Sequence, residues 1–408
     1  MKKFTKILAL ALVVAMIFSF AACGGTKDDK KAVKIGLICL HDENSTYDAN
    51  FINALKDVQK ELGLTDDQVL IKTNIPENDA CYTAASELVE AGCTAIFADS
   101  FGHETYVLQA AKEFTNVQFY HATGTMAHTE KLDNFHNAFA SIYEGRYLAG
   151  VAAGMKLNEM IASGKITADK AVIGYVGAFP YAEVKSGYTS FYLGARSVCP
   201  SATMKVTYTN SWFDIALERE AALKLINDGC VLISQHADSE GAPKACEEKG
   251  VPNVAYNVNT ISMGPNTALI SSKIYWAPYF KMMYEAAVNG TAVPTDYTGS
   301  IKDGMVQLTE LNTAVAAEGT QAKLDEVKAQ FEAGTLNVFD TSKFTVKGET
   351  LTSYMADVDS DDKFTPDTEV VANGVFQESK FRSAPYFDLV IDGITEDTAC
   401  LLYTSDAA

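Results

Sequence analysis

The chain has 408 residues, 48% of them apolar, and a formal net charge of −19. That length and apolar share support more than one packed core in a folded, globular protein. The acidity repels polyanions, which excludes nucleic acid as a partner but leaves room for one small anionic group in a local pocket.

Met1 to Lys6 is basic and Ile7 to Phe20 is apolar, too short for a comfortable membrane span. The run closes on Phe20-Ala21-Ala22-Cys23-Gly24-Gly25, which resembles a bacterial lipobox. Residues 1–22 then form a signal peptide, Cys23 receives a lipid, and residues 23–32 are a polar tether. The expected location is the cell membrane, anchored on its extracytoplasmic face. Removing residues 1–22 deletes three lysines and no acid, so the mature charge becomes −22. Seven cysteines follow Cys23 without a CxxC pair. Cys39, Cys93 and Cys230 lie in or beside apolar strands and read as buried thiols.

Strands are expected at Val33 to Leu40, Gln68 to Thr73, Thr94 to Ala98 and Val117 to Tyr120. Helices from about Tyr47 to Leu62, Asn78 to Ala91 and Glu104 to Phe114 separate them, the grammar of a parallel, doubly wound sheet. Phe139 to Leu157 is apolar and rich in small residues, fitting a helix packed closely on a neighbour. The pattern then restarts. Strands at Ala171 to Gly177, Thr203 to Tyr208 and Val231 to Ser234 alternate with helices at Glu183 to Val198 and Asp214 to Asn227. Val33 to Ala171 is an offset of 138 residues and Cys93 to Cys230 one of 137, the mark of a duplicated α/β unit.

Val254 to Asn257 and Ala268 to Ser272 are further strands, followed by helices at Ala277 to Asn289 and about Leu324 to Ala333. Two Rossmann-like lobes follow: residues 33–140 with 258–290, and residues 141–257 with 291–337. Residues 338–399 are expected to wrap on the second lobe as an irregular extension. Residues 400–408 fit nothing before them and are read as a sequence artefact.

The chemistry of catalysis is largely missing. The six histidines form no HExxH and no zinc-spaced cluster, and there is no nucleophile elbow, no phosphate-binding loop and no GxGxxG. We therefore expect no enzyme, no metal and no cofactor.

What recurs is polar and aromatic residues just past strand ends, where ligands bind in open α/β sheets. They are His41-Asp42 and Tyr47-Asp48, then Asp99, Ser100 and Phe101, then Phe179, Trp212, His236, Asp238 and Asn257. Paired aromatics clamp a flat ring, while carboxylates and amides serve ring nitrogens or sugar hydroxyls. Asp214 reads more readily as a helix cap than as a ligand contact. Trp276 fits a cleft wall and lobe packing equally.

Several longer motifs carry a family resemblance. They include Asp99-Ser100-Phe101-Gly102, His121-Ala122-Thr123-Gly124, Tyr143-Glu144-Gly145-Arg146-Tyr147-Leu148-Ala149-Gly150, Asn210-Ser211-Trp212-Phe213-Asp214 and Gln235-His236-Ala237-Asp238-Ser239. From Val33 to about Asn337 the chain resembles the basic membrane protein (BMP) family, the PnrA-like substrate-binding lipoproteins of ABC transporters. The resemblance implies a type I periplasmic-binding-protein fold that holds a purine nucleoside or base between its lobes, and an ABC permease as partner. The aromatic pair then matches Tyr47 and Trp212, the first polar partner Asp48, and the ribose- or base-binding acid Asn257. That last position is often Asp in relatives, so a free base such as adenine becomes a serious candidate. Lys273 corresponds to the lysine that some relatives place near the ribose. The expected protein is a lipid-anchored, monomeric importer receptor. Its rivals are a sensor of the same fold for a sugar or other small molecule, and a nucleoside hydrolase.

Overall fold

A computed structural model describes residues 33–358 and 365–397. The first sheet begins with β1 (Ile35–Ile38), β2 (Val69–Lys72), β3 (Ala95–Ala98), β4 (Gln118–Ala122) and β5 (Phe135–Ala140). Helices α1 (Thr46–Leu62), α2 (Asp79–Glu90) and α3 (Glu104–Glu113) connect its first four strands. Short polar side chains start two of these helices: Ser45 accepts from the Asp48 N–H, and Asn78 from the Ala80 N–H.

The chain then crosses to the second lobe through α4 (Ile142–Ala162). There β6 (Val172–Gly177), α5 (Ala182–Val198), β7 (Thr203–Tyr208), α6 (Ile215–Asn227) and β8 (Leu232–His236) repeat the design. They are followed by α7 (Gly241–Lys249), β9 (Asn253–Tyr256) and β10 (Ala268–Ile274). The chain returns to lobe 1 with α8 (Ala277–Asn289) and β11 (Asp296–Gly299). It ends in lobe 2 with β12 (Val306–Leu308), α9 (Thr320–Glu332) and β13 (Ile394–Asp397). The sheet orders are β11-β5-β4-β3-β1-β2 and β12-β10-β9-β8-β6-β7-β13. Within these two sheets every pairing is parallel except β12 on β10. Apart from the edge strands the two orders are the same, so the duplication read from the offsets is present in three dimensions.

The lobe boundaries need correcting. After Asn257 the chain turns and returns as β10, which pairs with β9 in the same sheet, so the second crossover follows Ile274. β11 pairs with β5, so the third crossover follows Gly299 rather than residue 290. The C-terminal extension is also less one-sided than expected. β13 joins β7 in lobe 2, but the Ser383 N–H donates to Asp296 Oδ2 (3.0 Å) and the Thr298 hydroxyl to Ser379 O (3.5 Å), both on β11 of lobe 1.

The small residues of α4 have a definite use. A Cβ on Gly150 would stand 2.0 Å from Phe191 O, and one on Gly194 2.0 Å from Tyr147 O, so α4 and α5 touch backbone to backbone. Trp276 is fully buried and stacks on Phe51 with ring centroids 4.5 Å apart. It is lobe 1 packing rather than cleft wall, where burying such a ring contributes about 1.5–3 kcal/mol. Asp214 caps α6 by accepting from the Ala216 and Leu217 N–H groups. The six described cysteines are all buried free thiols.

Candidate functional site

The carboxyl ends of β1, β3, β4, β7 and β8 converge on one cavity between the lobes, with a volume of about 20 Å³. That is room for about one water, so the walls must part to admit a ligand. Lobe 1 contributes Leu40 and His41 past β1, Tyr47 and Asp48 from the first turn of α1, Ser100 and Phe101 past β3, and Thr123 past β4. Lobe 2 contributes Glu183 from the first turn of α5, Trp212 past β7, and His236 and Asp238 at and past the end of β8.

The lobes touch across this cavity. The Thr46 N–H donates to Asp238 O at 2.8 Å. The His41 and Phe213 rings lie 5.3 Å apart and the Phe101 and Tyr181 rings 5.9 Å apart. Each contact joins a lobe 1 residue to a lobe 2 residue, so the molecule is in a closed arrangement.

Beneath the lobe 1 wall the chemistry is acidic. Asp48 accepts from the His41 N–H at 2.8 Å and the Ser45 hydroxyl at 2.5 Å. Burial would raise its carboxyl, but these hydrogen bonds outweigh it and hold Asp48 below the usual range. Asp99 is fully buried and takes the Leu40 N–H at 3.2 Å. Burial, and then the charge of Asp48, push it well above the carboxylate range. The Tyr47 hydroxyl closes over this layer by donating to Asp99 O at 2.8 Å. Cys39 Sγ and carboxylate oxygens of Asp48 and Asp99 lie within 4.8 Å of one another, the one described group close enough to hold a metal ion. Burial and the two acids push the Cys39 thiol up, so it stays protonated.

Beneath the lobe 2 wall lies a cation. Arg146 on α4 is buried, donates from Nη1 to Gln235 O at 2.9 Å, and sits 3.5 Å over the Tyr256 ring. Its Nε and Nη2 have no hydrogen-bond partner among the described residues. His236 donates from Nε2 to Glu183 Oε1 at 3.3 Å. Burial and then Arg146 lower His236 to about 4, so the imidazole is neutral. Asp238 accepts from Asn257 Nδ2 at 3.2 Å. Burial, then Glu218, Asp48 and Glu183, push its carboxyl well up, with Arg146 opposing.

Of the residues expected at the site, Tyr47, Asp48, Ser100, Phe101, Trp212, His236 and Asp238 line the cavity. Phe179 stands one layer back, with its ring 5.2 Å from Trp212 and edge-on to it. Asn257 also stands back, orienting Asp238 from a backbone with φ of 70°, a conformation that Asn tolerates better than most residues. Lys273 is displaced altogether. It lies on β10 with its Nζ 5.1 Å from the Tyr275 ring, and it does not line the cavity. Sequence reading missed Glu183, Thr123 and Leu40. Cys23 lies outside the described residues.

A two-lobed α/β molecule with a closed polar and aromatic cavity between duplicated sheets is a solute-binding protein of the periplasmic type. The chain matches the family model described as ABC transporter substrate-binding protein PnrA-like over residues 39–335, and it belongs to that family. It is 30% identical to a purine-binding protein of Brucella abortus, over 80% of this chain and 89% of that one. It is 34% identical to a protein of Haloferax volcanii named as an ABC transporter glucose-binding protein, over 55% of this chain and 53% of that one. An ABC transporter solute-binding protein from Conexibacter woesei has the same fold, with a TM-score of 0.61 at 20% identity, covering 75% of this chain and 98% of that one. As a substrate-binding protein it works outside the cytoplasm with a ligand and a permease. No described helix is long and apolar enough to cross a membrane.

Proposed function

We propose that this protein is a lipid-anchored, non-enzymatic receptor that closes over a purine base or nucleoside in the inter-lobe cavity and delivers it to an ABC permease. The observation that carries the reading is that Tyr47 from lobe 1 and Trp212 from lobe 2 line the same cavity, beside ionisable acceptors from both lobes. Two aromatic faces suit a flat heterocycle, and acceptors at its edge suit ring N–H and amino groups. The name of the Brucella abortus relative supports the same ligand class.

Closure follows from contacts that exist only when the lobes meet. A ligand touching both walls stabilises the closed state by the contacts the open state lacks. The Thr46 to Asp238 hydrogen bond adds a direct link. The anchor reading rests on the order of basic start, apolar run, small residues and Cys23.

Calorimetric titration with adenine, adenosine, guanosine and hypoxanthine is expected to give at least one ligand of about micromolar affinity or tighter. Glucose is the control raised by the name of the Haloferax relative. Binding of glucose with no purine bound would overturn the reading. Metabolic labelling with a fatty acid is expected to mark the parent chain and not Cys23→Ser.

A further inference from the structure

The cavity wall is lopsided in hydrogen-bonding terms. Three acids, Asp48, Glu183 and Asp238, line it beside one histidine pair, His41 and His236, and no described lysine or arginine does. The hydroxyls have spent their protons within the protein. Tyr47 donates to Asp99 O at 2.8 Å, Ser100 to Glu77 Oε1 at 2.6 Å, and Thr123 to Ala122 O at 2.5 Å. Each hydroxyl has one proton, so all three present only lone pairs to the cavity. His236 is spent in the same way, because the Glu183 carboxylate can only accept and therefore takes the Nε2 proton. Among the described lining side chains the remaining donors are the indole N–H of Trp212, the ring of His41, whose Nδ1 faces Asp48 Oδ2 at 3.5 Å, and Asp238 in its protonated form.

Glu183 is the centre of this arrangement. Its Oε1 is held by His236, while its Oε2 has no hydrogen bond among the described residues. The first turn of α5 carries it, where the helix N-terminus favours a negative charge. A ligand that offers N–H groups to such a wall is satisfied. One that offers carbonyl oxygens or phosphate meets acceptors and charge repulsion.

We propose that the cleft selects an uncharged, amino-substituted purine over its oxo counterpart and over any phosphorylated form, with Glu183 as the specificity-determining acceptor. This rests on the purine reading of the site and narrows it. An exocyclic amino group donates to Glu183 Oε2, and a 6-oxo group in its place sets two acceptors against each other. Arg146 does not rescue a phosphate, since its guanidinium lies behind the wall against Tyr256 and Gln235.

The test is calorimetric titration of the full protein with 2,6-diaminopurine, adenine, hypoxanthine and adenosine monophosphate. Both aminopurines are expected to bind at least about tenfold tighter than hypoxanthine, the scale of one unsatisfied buried polar group, and the monophosphate is expected not to bind. In Glu183→Gln the adenine to hypoxanthine ratio is expected to fall to within about threefold, because the amide can turn an N–H toward a 6-oxo group. A merely structural role for Glu183 would weaken both ligands and leave the ratio unchanged, which overturns the proposal. So does hypoxanthine binding the parent as tightly as adenine. Failure of every purine to bind overturns the purine reading itself.

Discussion

In lobe 1 the central strand β3 runs into Asp99, which turns under the wall, so Ser100 and Phe101 reach the cavity instead. In lobe 2 the equivalent strand β8 runs into His236, which reaches the cavity itself, with Asp238 two residues on. The strands match in order and pairing, yet what lies beneath them differs in charge. Lobe 1 buries the acids Asp99 and Asp48, while lobe 2 buries the cation Arg146 as well as the acid Glu218. The cation offsets the acids that lobe 2 exposes to the cleft. In lobe 1 no cation among the described residues offsets the charge of Asp48, which instead pushes its neighbour Asp99 up. Duplication thus fixed where the site lies, and divergence behind each wall set what the site can hold.

The largest expected effect is on the cation. Arg146→Met leaves Gln235 O without its donor and strips Tyr256 of its cation. Stability measured by chemical denaturation is expected to fall by about 3 kcal/mol, the sum of an unsatisfied buried acceptor and a desolvated cation–π contact. A loss below about 0.5 kcal/mol would mean that the buried charge contributes little.

Trp212→Ala is expected to weaken purine binding by about 1–3 kcal/mol with little change in stability. Unchanged affinity would remove Trp212 from the site. The paired substitution in lobe 1, Tyr47→Phe, keeps the ring and removes only the bond to Asp99 O, so it is expected to cost about 1 kcal/mol of stability or less.

The acid in lobe 1 should respond with the opposite sign to Arg146. Asp99 is raised in the folded protein, so the fold binds its proton more tightly than the unfolded chain does. Its contribution is complete below the unfolded carboxylate range and is lost as pH rises toward the folded value. Asp99→Asn is therefore expected to be neutral near pH 4 and to become more stable than the parent as pH rises to 7. A variant less stable than the parent at pH 7 would show that Asp99 is held by interactions other than those described. The smallest effect is expected at Phe179, where Phe179→Leu loses an edge-on ring contact to Trp212 and is expected to weaken binding by no more than about 1 kcal/mol.

Much of this was legible in the sequence for a physical reason. Buried parallel strands are apolar runs, so β1, β3, β6 and β8 announced themselves, and the residues just past them were the candidates. Trp212, Tyr47 and Asp238 were found in this way. Glu183 was missed because an acid in the first turn of a helix also serves the helix dipole, and nothing local distinguishes the two roles. β11 and β12 were missed because four and three residues, several of them polar, show no period. The crossovers after Ile274 and Gly299 were misplaced because a change of lobe leaves no local signature. Lys273 was assigned through the family resemblance, and its strand, β10, lies two strands to the side of β8, so its side chain does not line the cavity.

The central claim is that both lobes hold one flat base, and a crystal structure of the protein grown with adenine tests it most directly. One planar ring is expected in the cavity against Trp212 and Tyr47, with its amino group within hydrogen-bond distance of Glu183. An adenine bound away from this cavity, or one whose amino group points away from Glu183, would contradict it.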